Sequence, residues 1–178
     1  VFVGKDDGLY KYNILNNSSV KLYDGTFTKI MFSETTNKIY ALSTKTLYEL
    51  TNSFQPVFTL ANEKREDLCF DFEIIDSLTM FIATTNGLYE INDGEQDYYS
   101  KKSSLPSASL YSLYYNKYED ALFVGSGDKG LLKLQFKNCY SFSTNEGFGQ
   151  TCSLSSLIKT KDGKVLIAES SGTLFQMG

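Results

Sequence analysis

Short apolar runs alternate with polar turns along the chain, and one such phrase recurs five times: VFVGKDDGLYKY (Val1 to Tyr12), IYALSTKTLYEL (Ile39 to Leu50), MFIATTNGLYEI (Met80 to Ile91), LFVGSGDKGLLKL (Leu122 to Leu134) and VLIAESSGTLFQM (Val165 to Met177). The residue that closes each turn, Tyr10, Tyr48, Tyr89, Leu132 and Phe175, returns at steps of 38, 41, 43 and 43 residues. A period of about 40 residues predicts stacked supersecondary units that bury apolar surface against their neighbours.

Each unit has four parts. It begins with an apolar or aromatic run (Ile30 to Phe32, Leu68 to Ile75, Leu110 to Tyr115, Leu154 to Ile158) and a polar turn such as Asn37-Lys38 or Glu119-Asp120. The recurring phrase supplies two more runs, and a polar segment closes the unit, as in Val20 to Tyr23, Gln55 to Leu60, Asp97 to Lys101 and Asn138 to Phe142. The pattern predicts four short strands per unit. The turn inside the phrase carries glycine at Gly8, Gly87, Gly130 and Gly172, which suits a tight hairpin that needs positive φ. Thr46 stands there in the second copy, so a wider or differently built hairpin is expected.

Met80-Phe81-Ile82 and Leu122-Phe123-Val124 are apolar at successive positions, and a strand points successive side chains to opposite faces. Both faces must therefore be dry. No segment shows a sustained helical stripe to cover them, so the sheets must cover one another. Four-stranded antiparallel sheets stacked face to face are the blades of a β-propeller. The residue ending each central run is small in four copies, Gly4, Ala83, Gly125 and Ala168, with Leu42 the exception; close packing between blades or a bulge accounts for that equally.

Counting strands divides the chain into a partial blade over 1–26, blades over 27–67, 68–107 and 108–151, and a partial blade over 152–178. The expected fold is all-β, one β-propeller segment forming an arc of a larger propeller of about seven blades.

Composition narrows the chemistry. The 178 residues are 42% hydrophobic, and no apolar stretch approaches the roughly 20 residues of a membrane span, so this segment is expected to make no membrane contact. Seventeen basic and 21 acidic residues give a net charge of −4 without a basic stripe, which argues against a nucleic-acid partner. There is no histidine, which removes Ser/His/Asp and Cys/His catalysis and the usual zinc sites. Cys69, Cys139 and Cys152 show no CxxC spacing, and whether Cys139 pairs with Cys152 stays open. Most acidic residues fall in turns, and Asp93 to Asp97 lacks the spacing of a calcium loop. No catalytic residue, metal or cofactor is expected. Carboxylate pairs for glycoside hydrolysis stay formally open.

Thirteen tyrosines and 13 phenylalanines supply the cores, and a few tyrosines have polar neighbours. Tyr98 and Tyr99 beside Lys101 and Lys102, and Tyr118 near Tyr114 and Tyr115, offer flat rings with hydroxyl handles for a sugar or a partner. Tyr98, Tyr99 and Tyr118 are the candidate ligand-binding residues.

Leu105-Pro106-Ser107 followed by SLYSLYYNKYEDALFVGSGDKGLLKL resembles the two-component regulator propeller repeat, and the first and third phrases resemble its second half. At the central-strand position where that repeat usually places tryptophan, this chain has Phe2, Tyr40, Phe81, Phe123 and Leu166. The resemblance implies a periplasmic or extracellular sensor module of a hybrid two-component histidine kinase, responding to oligosaccharides. It also implies a kinase elsewhere in a parent anchored in the inner membrane. Expected partners are an oligosaccharide, a second copy of the chain, or further propeller and sandwich domains of the receptor. A structural or protein-interaction propeller of a surface or secretion assembly is the alternative, and a glycan-cleaving propeller enzyme the third reading.

Overall fold

A computed structural model of the chain describes residues 1–50, 54–60, 67–103, 105–135, 138–142 and 153–177. Among them the regular structure is strand, apart from one turn of 3-10 helix at Lys101–Ser103. The first sheet is β1 (Phe2–Gly4), β2 (Gly8–Asn13) and β3 (Ser18–Asp24), in that order. The second runs β4 (Phe27–Ser33), β5 (Lys38–Ser43), β6 (Thr46–Glu49) and β7 (Gln55–Thr59). The third is β8 (Cys69–Ile74), β9 (Thr79–Thr84), β10 (Gly87–Asn92) and β11 (Glu95–Tyr99), and the fourth β12 (Leu110–Asn116), β13 (Ala121–Ser126), β14 (Leu131–Gln135) and β15 (Asn138–Phe142). A last sheet holds β16 (Leu154–Lys159), β17 (Val165–Glu169) and β18 (Leu174–Met177). Each sheet is a meander in which chain neighbours pair antiparallel.

The turns follow from local chemistry. Asn13 pairs with Ser18, Ser33 with Lys38 and Asn116 with Ala121, and each four-residue loop ends on a residue of positive φ: Asn17 (54°), Asn37 (54°) and Asp120 (49°). Asparagine and aspartate tolerate that conformation best after glycine. The residue opening each loop accepts an amide of the loop: Leu15 N on Asn13 Oδ1 at 3.0 Å, Thr36 N on Ser33 Oγ at 3.3 Å, and Tyr118 N on Asn116 Oδ1 at 3.1 Å.

The turn inside the recurring phrase is built on a hydroxyl as much as on glycine. Thr84 Oγ1 donates to Gly87 O at 2.9 Å and accepts from Asn86 N at 3.2 Å; Ser126 Oγ donates to Gly130 O at 2.8 Å and accepts from Lys129 N at 2.9 Å. Ser43 Oγ does the same, donating to Thr46 O at 3.0 Å and accepting from Thr46 N at 2.9 Å. The hairpin holding Thr46 is accordingly no wider than its counterpart: Leu42 pairs with Leu47 as Ala83 pairs with Leu88. Gly130 takes a φ of 70°, the conformation foreseen. Gly172 (93°) and Gly87 (156°) are positive too, and Gly87 also serves a close approach, since a Cβ there would stand 2.3 Å from Tyr99 O. Gly8 departs from the expectation: its φ is not positive, and it serves a close approach alone, a Cβ there standing 2.5 Å from Tyr23 O.

The chain divides into two compact units, Val1–Phe70 and Asp71–Gly178. In the first, Leu9, Phe27 and Ala41 form a buried core with Phe2, Ile30, Tyr48, Leu50 and Phe54 packed on it. A Cβ on Gly4 would meet Phe27 Cβ at 3.0 Å, so glycine lets the two sheets close.

In the second unit β13 is buried along its whole length and faces two cores. Leu122 and Val124 join Phe81, Ala83, Leu88, Leu110 and Leu113 on one side. Ala121 and Phe123 join Leu131, Leu154, Val165 and Ile167 on the other. A sheet with both faces dry is what successive apolar residues demand. Gly125 sits where a Cβ would lie 3.1 Å from Leu154 Cβ on the next sheet and 2.2 Å from Ser112 Oγ on its own. Close packing and a bulge both operate here, because the register of β12 on β13 shifts between Leu110 and Ser112.

Candidate ligand-binding rim

The three candidate tyrosines sit in two places. Tyr98 lies on the edge strand β11 opposite Tyr89, their ring centroids 4.8 Å apart, and its hydroxyl donates to Asn86 O at 2.7 Å. A side chain at Gly87 would stand 2.9 Å from the Tyr98 ring, so the turn glycine makes room for this tyrosine. Tyr99, one residue on and therefore on the other face, packs against the core around Leu88 and Leu113. Its hydroxyl donates to Glu90 Oε2 at 2.7 Å, and that carboxylate, with burial added, pushes the phenol up to about 12. Both hydroxyls are committed within the fold.

Tyr118 stands in the loop between β12 and β13, 77% exposed. The loop beneath it is tied at several points. Asn116, buried, accepts Tyr118 N and donates its Nδ2 to Glu119 Oε1 at 2.8 Å. Glu119 also pairs with Lys133, and Tyr115 donates its hydroxyl to Asp120 Oδ1 at 2.8 Å. Two ammonium groups lie over the Tyr118 ring, Lys159 Nζ 4.2 Å and Lys117 Nζ 5.4 Å from its centroid. Lys159 ends β16, so the ring bridges two adjacent sheets of one unit. The Tyr118 hydroxyl makes no hydrogen bond to any described residue, and neither lysine forms an ion pair among them.

Tyr114 lies nearby; burial, then the charges of Glu73 and the groups of the Tyr118 loop, raise its phenol. Among the described residues no hydrogen bond or ring contact joins Tyr118 to Tyr98 or Tyr99. Lys117 and Lys159 were not singled out in the sequence, although Lys159 stands about one repeat beyond Tyr118 and so belongs at the same end of the next unit.

Cys69 is buried, and desolvation pushes its thiol up to about 12, which leaves it unreactive. A Cys139–Cys152 bridge lies outside the described residues. Among the described residues no group of three or more histidine, cysteine or acidic side chains is arranged to hold a metal, and no helix is long and apolar enough to cross a membrane.

No family model matches the chain, and no curated protein matches it. Solved structures match in fold. The extracellular domain assigned to a hybrid two component system of B. thetaiotaomicron superposes with a TM-score of 0.77 at 13% identity, covering 98% of this chain and 25% of that one. The WD40 β-propeller domain of Doa1 gives 0.70 at 11% identity over 99% of this chain and 60% of that one. A streptogramin B lyase gives 0.67 at 11% identity over 98% and 62%. The chain thus spans a quarter of the length of the first of these, and what it shares with all three is the fold: its sheets are β-propeller blades.

Proposed function

We propose that this chain is part of the sensing region of an extracytoplasmic receptor of the hybrid two-component kind, itself without catalytic activity, and that it recognises an oligosaccharide. The observation that carries the reading is the likeness of fold, over 98% of the chain, to the extracellular domain of such a system. Two features support it: the chain has no histidine to act as a phosphoacceptor, and Tyr118, 77% exposed on a tightly braced loop, has a hydroxyl that bonds to none of the described residues. An aromatic face with a hydroxyl at its edge suits a saccharide, whose apolar ring face stacks while its hydroxyls seek partners. In the parent receptor, anchored in the inner membrane with its kinase on the far side, ligand at this rim changes how the receptor chains associate.

Isothermal titration of the chain against a panel of neutral and acidic oligosaccharides tests this. Binding of at least one member is expected, weakened about tenfold or more by Tyr118→Ala, a loss of roughly 1.4 kcal/mol. Silence across the panel, or binding indifferent to Tyr118, overturns the assignment.

A further inference from the structure

Resting on that reading of the rim, we infer that its ligand is an acidic oligosaccharide, with a carboxylate held between Lys117 and Lys159 and the sugar lying against Tyr118. The argument begins with charge. The chain is acidic overall, and several lysines sit beside carboxylates among the described residues: Lys21 by Asp24 at 2.8 Å, Lys38 by Glu49 at 2.9 Å, Lys164 by Asp162 at 3.5 Å, Lys101 by Asp128 at 3.8 Å, and Lys133 by Glu119. Lys5 and others form no such pair among those residues, but Lys117 and Lys159 are brought together over one ring. Lys117 and Lys159 have no such neighbour among the described residues, although Glu119 and Asp120 belong to the same loop.

Those two carboxylates are held elsewhere. Glu119 is engaged by Lys133 and Asn116, and Asp120 by the Tyr115 hydroxyl. The Tyr118 ring meanwhile attracts both ammonium groups by its negative face and restricts where they go. The outcome is a pair of cations from two adjacent sheets, gathered round one ring, with no carboxylate partner for them and no hydrogen bond from the ring's hydroxyl among the described residues. A neutral sugar leaves both charges unanswered. A uronic acid answers the charges, the ring and the hydroxyl together.

The test titrates the chain with tetragalacturonate, with its full methyl ester, and with succinate as a carboxylate lacking the sugar. Tetragalacturonate is expected to bind, more weakly as salt is raised, while the ester and succinate bind at least about tenfold more weakly. Lys117→Gln with Lys159→Gln is expected to lower the affinity for the acid at least about tenfold without changing the circular dichroism spectrum. An ester that binds as well as the acid, and still needs Tyr118, overturns the acidic class while leaving the sugar-sensing assignment standing. Succinate binding as tightly as the oligomer, or an affinity unmoved by the two lysine substitutions, also overturns the inference.

Discussion

Tyr99 and Tyr98 are neighbours in sequence with opposite surroundings, and strand geometry is the cause. Alternation turns Tyr99 toward the core and places its hydroxyl 2.7 Å from Glu90 Oε2, whereas Tyr98 lies on the exposed face against Tyr89. A phenol that donates to a carboxylate loses that bond when it ionises, so its folded value rises to about 12 from 10.0. The sign follows from linkage: a raised value contributes stability in full below the unfolded value, and that contribution disappears as pH climbs from about 10 toward 12. Ultraviolet difference titration of the wild type against Tyr99→Phe is therefore expected to reveal one tyrosine ionising near pH 12. An ordinary midpoint in the difference curve would show the Glu90 contact to be absent in solution.

At the scale of the element, the turn within each phrase shows how far the sequence could be read. Glycine was visible, and at Gly130 it does what the pattern asks, adopting a φ of 70°. The hydroxyl preceding the turn occupies the same place in three of the phrases, at Ser43, Thr84 and Ser126, but its role was not visible, because serine and threonine are common in any polar segment. The structure supplies it: each ends the strand before the turn and bonds across it, which is why Thr46 can replace glycine without widening the hairpin. Ser126 is fully buried, so its lost bonds cannot be replaced by water. Ser126→Ala is expected to destabilise the second unit by about 1–3 kcal/mol in urea denaturation, the range for buried polar groups deprived of a partner. A change below about 0.3 kcal/mol would mean that the backbone bond from Ser126 N to Gly130 O, 2.9 Å long, holds the turn alone.

Across the molecule, the stacking of sheets was legible because it leaves a mark in composition: a central strand apolar at every position has two faces to bury, and Leu122 and Phe123 do go to different cores. The ties between sheets left no such mark. Asp71 and Glu73 alternate with Phe70, Phe72 and Ile74 on β8, a pattern that reads as an ordinary strand with one polar face. In the structure both carboxylates reach the neighbouring sheet, Asp71 Oδ2 accepting Leu113 N at 2.8 Å and Glu73 Oε1 accepting Tyr115 N at 3.4 Å. At the rim Tyr118 itself was legible as an aromatic among polar neighbours, but its partner Lys159 was not, for the same reason, since it reaches the ring from another repeat. β12 is an edge strand, and amide groups at an unpaired edge invite another strand to pair with them. Two acids spaced two residues apart, bonded to two amides spaced two residues apart, satisfy those donors and fix the register of one blade on the next. Asp71→Ala is therefore expected to speed hydrogen exchange at the Leu113 amide far more than at Leu132 in the middle of the same sheet, with a stability loss of about 1–3 kcal/mol. Glu73→Ala, removing the longer bond, is expected to do less. Equal protection of Leu113 in wild type and Asp71→Ala would mean that apolar packing around Leu113 and Leu122 alone holds these two blades together.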